Sequence, residues 1–125
     1  MSDDSAGQER RRRGEEIWEQ VTAAPLRQST GPFHEAVLDF VSAEVWARPG
    51  LTRKERRLIS LSCAGAAGQP RPVRAHVRAA LESGDMSLDE LREFVLHFAV
   101  YAGWPNASLV NATLDDVADE LGMSS

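Results

Sequence analysis

The chain has 125 residues, 42% apolar and 26% charged, with a formal net charge of −5. This is ordinary globular composition at a length that fits one domain, whose core can remove roughly two thirds of the unfolded surface from water. An acidic balance speaks against a nucleic-acid partner, which needs clustered Lys and Arg, and the lack of any run of about 18 apolar residues speaks against a membrane span.

Residues 1–8 are small and polar and are expected to form a disordered tail ahead of a single helical domain over residues 9–125. No signal-peptide pattern opens the sequence, so a cytoplasmic location is the default expectation. A first helix is predicted from Glu9 to Ala23, with Ile17, Trp18 and Val21 inward and Pro25 beyond its end. Its basic run, Arg10 to Arg13, is expected to face water. Gly31 and Pro32 open a second helix, on which Phe33, Val37, Leu38, Val41 and Val45 form an apolar stripe. Pro49 and Gly50 then make a turn.

Thr52 and Glu55 read as a capping box, starting a third helix that Gly68 ends. Leu58, Ile59, Leu61, Cys63, Ala64 and Ala67 cover much of its girth, which predicts a central helix with Cys63 in the core. Pro72 suits the first turn of a fourth helix bearing Val73, His76, Val77 and Ala80 on one stripe and closed by Gly84. Ser87 and Glu90 form a second capping box, with Met86 placed to staple onto Leu91. The fifth helix then buries Leu91, Phe94, Val95, Phe98 and Ala102. After Gly103, Trp104 and Pro105 a sixth helix turns Leu114, Val117 and Leu121 inward and stops at Gly122. Apolar alternation with period two never lasts, so the fold class is all-α, a six-helix bundle. The wide apolar girth of helices three and five suggests a homo-oligomer.

Taken in order, five segments carry a family likeness: Arg10 to Trp18 (RRRGEEIWE), Glu44 to Leu51 (EVWARPGL), Lys54 to Leu61 (KERRLISL), His76 to Gly84 (HVRAALESG) and Ala99 to Ala107 (AVYAGWPNA). Through their order and spacing the chain resembles the carboxymuconolactone decarboxylase family from about Arg10 to Leu121. The resemblance implies an alkylhydroperoxidase D-like helical fold, assembly into trimers or hexamers, and a lyase of aromatic catabolism. The chain departs from the family pattern at Glu82 and Ser83, where relatives carry an asparagine pair, at His97, where glutamine is common, and in the two prolines of Gly68 to Val73.

Peroxidase members of that superfamily carry Cys-x-x-Cys-x-x-x-His. Counting back from His76, the cysteine positions are Gln69 and Pro72, so the thiol–disulfide chemistry of those relatives is not expected. The decarboxylation implied by the resemblance needs no cofactor, because electrons left by departing CO₂ spread through the double bond to the lactone carbonyl. The protein must supply donors at that oxygen, an acid, a dry pocket and a cation for the second carboxylate of the substrate.

His76, inward on its stripe and matching the family histidine, is the first candidate acid, since an ordinary imidazole titrates near pH 6.5. Tyr101 and His97 share one helix face and could donate to an oxyanion. Arg48 and Arg56 are candidate carboxylate clamps, and Glu44 could orient His76 or pair with Arg56. Trp46 and Trp104 flank turns and could wall the substrate pocket. His34 reads as structural. His34, His76 and His97 lie on separate helices without ligand spacing, so no metal site is expected. The expected partner is a small carboxylic acid or lactone. The alternatives are another small carbonyl or ring acid of secondary metabolism, or a non-catalytic helical oligomer that binds a ligand.

Overall fold

The computed structural model describes residues 2–28 and 31–123. Six helical stretches and no strand occur among the described residues. They group into two compact units that divide between Thr52 and Arg53.

The first unit holds α1 (Ser2–Thr22), α2 (Pro32–Ala36) and a π-helical segment (Val37–Trp46) that continues α2. Helix α1 begins at Ser2 rather than at Glu9, so it takes in most of the segment expected as a tail; Met1 lies outside the described residues. Arg12 reaches Glu9 at 2.6 Å and Glu16 at 3.4 Å, the one-turn pairing that supports an exposed helix. Its neighbours hold the π segment. Arg11 grips Asp39 through Nε at 2.5 Å and Nη2 at 2.8 Å. Arg13 donates to the Ala43 carbonyl and to Glu44, each at 3.2 Å. Three of the run's arginines are thus engaged inside the unit. Gly14 lies at the closest approach, where a Cβ would stand 1.9 Å from the Leu38 carbonyl oxygen.

The predicted second stripe is corrected here. Phe33 is 86% exposed and Val41 is also exposed, while Leu38, Ser42 and Ala43 are buried. A π-helix closes i→i+5 bonds in a wider turn, so residues four and five apart share its inner face and a 3.6-residue stripe drifts outward.

The second unit holds α3 (Arg53–Ala66), α4 (Pro70–Ser83), α5 (Leu88–Ala102) and α6 (Trp104–Glu120). Its core joins Leu61 of α3, Val73 and Val77 of α4, Leu91 and Phe98 of α5, and Val110, Leu114 and Val117 of α6. Val73, Val77, Leu91, Phe98, Leu114 and Val117 are as expected for α4, α5 and α6; Val110 joins them, and Leu121 is only partly buried against this core. Burial of such side chains supplies about 1.5–3 kcal/mol each.

Helix α3 ends in a Schellman motif. Gly68 has φ +63°, its N–H bonds the Gly65 carbonyl at 3.0 Å, and the Gln69 N–H bonds the Ala64 carbonyl at 3.1 Å. Helix α4 starts at Pro70, earlier than Pro72, and both prolines sit in the first turn where no N–H is needed. The first ladder bond runs from the Val73 N–H to the Gln69 carbonyl, 3.2 Å. The α5 capping box is formed: the Glu90 N–H donates to Ser87 Oγ at 3.1 Å, and the Ser87 N–H donates to the Glu90 carboxylate at 2.9 Å.

Helix α3 departs from the prediction. Its buried face is Arg57, Leu61 and Gly65, whereas Ile59, Cys63 and Ala67 are exposed. Cys63 is therefore a surface thiol of this unit and not a core residue. A Cβ on Gly65 would lie 2.8 Å from the Phe98 ring and 3.2 Å from Val110, so the glycine lets α3 press against α5 and α6.

Candidate functional site

The second unit places chemistry-bearing side chains in two separate settings. The first is a buried cluster of α3, α4 and the turn after α4. Arg57 follows from α3's phase: with Leu61 and Gly65 it forms a row at four-residue spacing, and it is 0% exposed. Its Nη2 donates to Asp85 Oδ2 at 2.9 Å, and its Nη1 lies 3.3 Å from Nδ1 of His76. Asp85 is held by the turn itself, where Gly84 takes φ +79° and the Asp85 N–H donates to Ser83 Oγ at 3.3 Å. His76 is half-buried one helical turn from the fully buried Val73 and beside Val77.

The electrostatics change the role expected of His76. Burial first, and the Arg57 guanidinium second, push its pKa from 6.5 down to about 4. The ring is neutral at neutral pH, so the imidazolium acid expected from an ordinary histidine is not present there. A neutral ring can still donate one N–H to a developing oxyanion. Burial also pulls the Arg57 pKa below its ordinary value, and Asp85 opposes this through its hydrogen bond and charge. A guanidinium stays protonated even so.

The second setting is an open groove of about 1040 Å³ along α3 and α5. Leu58, Met86, Phe94 and Phe98 give it an apolar floor, and Phe94 and Phe98 stack with centroids 5.3 Å apart. His97 and Tyr101 line it and stack on each other at 5.2 Å, as their one-turn spacing predicts. Both are exposed, Tyr101 at 82%. Asp89, Glu90 and Glu93 stand on its rim with Lys54, which pairs with Glu90. His76 does not line this groove, so the structure does not join His97 and Tyr101 to it.

The remaining expected site residues are dispersed. Trp104 is 68% exposed and lines a smaller recess of about 280 Å³ with Arg92, Leu96 and Asn111. Arg56 is half-buried beside Arg57 in the sequence. Glu44, Trp46 and Arg48 belong to the first unit, where Glu44 is exposed and paired with Arg13. His34 packs edge-on against Trp18 at 6.1 Å, which fits its structural reading. Glu82, one of the family departures, pairs with Arg78 at 3.0 Å on α4. Among the described residues no group of three or more His, Cys, Asp or Glu side chains could hold a metal ion, and no helix is long and apolar enough to cross a membrane.

Sequence reasoning missed Arg57 and Asp85. The Arg57–Leu61–Gly65 spacing was the available signal for the first. Nothing local marks the second, whose partner lies 28 residues away.

The profile of the carboxymuconolactone decarboxylase family matches residues 31–116. The 4-carboxymuconolactone decarboxylase of Acinetobacter baylyi is 35% identical over 92 residues, 74% of this chain and 68% of that protein. The nitrosuccinic acid decarboxylase of Metarhizium robertsii is 35% identical over 95 residues, 73% of this chain and 66% of that protein. The chain thus spans about two thirds of the length of either relative.

Proposed function

The chain belongs to the carboxymuconolactone decarboxylase family, and from that premise we propose that it is a cofactor-independent decarboxylase of a small acid that carries its own electron sink. A carboxylated lactone of the 4-carboxymuconolactone type is the first candidate. The names of the two relatives share a chemical logic. Each substrate is a dicarboxylic acid, and in each the electron pair left by CO₂ can flow onto oxygen, of a lactone carbonyl in one and of a nitro group in the other.

In the proposed reaction the C–C bond to one carboxylate breaks and CO₂ leaves. The electron pair moves onto the acceptor oxygen, and solvent water supplies the proton that returns to carbon. The observation that supports this reading is the neutral, half-buried His76 beside buried Arg57. A neutral imidazole N–H in a dry site favours the oxyanion without having to give up a full charge. Arg56, next to Arg57 on α3, remains the proposed holder of the second carboxylate. The acidic rim of the α3–α5 groove opposes a dianion, so in this proposal His97 and Tyr101 act on substrate fit or assembly rather than on the reacting atoms.

The test is direct. Purified protein mixed with 4-carboxymuconolactone, and separately with nitrosuccinic acid, is expected to release CO₂ from at least one of them, and His76→Asn is expected to lower that rate at least tenfold. Release equal to the protein-free blank with both acids removes this proposal, and release unaffected by His76→Asn removes His76 from it.

A further inference from the structure

Among the described residues Arg57 is the one charged side chain that is fully buried, and the proposed chemistry makes no direct use of it. Its guanidinium carries only donors and is never an acceptor. When its Nη1 approaches His76 Nδ1 to 3.3 Å, the ring nitrogen must therefore present its lone pair, and the ring's single proton resides on Nε2. The guanidinium is itself fixed. Nη2 is bonded to Asp85 at 2.9 Å, and Asp85 is tied to the α4–α5 turn through Ser83. Three elements thus contribute: α3 the cation, α4 the ring, the turn the counter-charge.

We propose that the pair of fully buried Arg57 with half-buried Asp85 is a positioning device that holds His76 as the neutral Nε2–H tautomer and so makes the ring a hydrogen-bond donor to an oxyanion rather than a proton-accepting base. The catalytic part of this inference rests on the decarboxylase reading; the tautomer does not. Arg57 and Asp85 act through the imidazole and are positioning residues. A buried ion pair is seldom retained for stability alone, because desolvation offsets most of its attraction. A pair that fixes a ring orientation has a reason to be buried, as the partners that orient metal-bound or catalytic histidines do.

The experiment is nitrogen-15 NMR of the imidazole in the full chain labelled at histidine, with His76 assigned by its absence in His76→Asn. In the wild-type protein at neutral pH, Nδ1 is expected to show the shift of an unprotonated ring nitrogen and Nε2 that of a proton-bearing one. A proton-bearing Nδ1 overturns the proposal. In Arg57→Met the two shifts are expected to move toward each other as tautomers mix, and an unchanged spectrum overturns the proposal equally. Should Arg57→Met not fold, Asp85→Asn supplies the same comparison, because the guanidinium then lacks the carboxylate that aims it. Where an acid is turned over, Asp85→Asn is expected to lower kcat about 10- to 100-fold with KM little changed. If no acid is turned over, the decarboxylase reading fails while the spectrum still decides the tautomer.

Discussion

Because the His76 ring takes up a proton only near pH 4 in the folded protein but near pH 6.5 when exposed, folding stability is tied to acidity through this one residue. Between those values the unfolded chain binds more protons than the folded one, so stability falls as the pH falls from about 6.5 to about 4 and is not lowered further by this ring below that. The contribution is on the order of 3 kcal/mol at ~1.36 kcal/mol per pH unit. Urea titrations at pH 7 and pH 4.5 are expected to show this loss, and His76→Asn is expected to show a smaller one. A wild-type difference no larger than that of His76→Asn would contradict the assignment. The histidine was legible in the sequence as an inward residue on an apolar stripe, but its protonation was not. That depends on burial first and on Arg57 second, one position from Arg56, the arginine expected to clamp a carboxylate. Helix phase decides between them: Arg57, Leu61 and Gly65 face in together.

At the scale of elements, two glycines set how closely helices approach. A Cβ on Gly14 meets a backbone oxygen that cannot swing away, whereas a Cβ on Gly65 meets a phenylalanine ring that can shift slightly. Gly14→Ala is therefore expected to lower stability by more than about 3 kcal/mol, and Gly65→Ala by about 1–3 kcal/mol, the usual range for overpacking. Thermal or urea unfolding checks both, and equal, negligible effects would deny the close approaches. Helices α4, α5 and α6 were readable because a plain α-helix repeats its stripe at the spacing the eye looks for. The π segment was not, since its wider turn moves Val41 out and Ser42 in. Cys63 misled for a related reason: from Leu58 onward the apolar residues of α3 cover much of its girth, and apolarity alone does not say which side the rest of the unit covers.

For the molecule as a whole, α5 leaves Leu96 59% and Val100 72% exposed, and Trp104 at the start of α6, which shares a recess with Leu96, is 68% exposed. Single exposed apolar residues are common, but a cluster of large ones is a recognised signature of contact with another chain. The oligomer expected from the sequence is proposed to use it. Light scattering on the wild-type protein is expected to give a multiple of 13.7 kDa, and Val100→Glu is expected to reduce it. A wild-type monomer, or an assembly indifferent to the substitution, would contradict this. The family was legible from ordered segments spread along the chain, four of which fall within the matched residues 31–116. The substrate was not, because no segment states which acid the fold holds.

The double proline at the start of α4 has one more consequence. Pro70 and Pro72 can occupy only positions where the ladder asks for no donor, and Val73 makes the first bond immediately after them. The helix therefore cannot start a residue earlier without asking Pro72 for an amide hydrogen it lacks. The covalent chain itself thus sets how early α4 can begin, six positions before His76, like a stop cut into a rail.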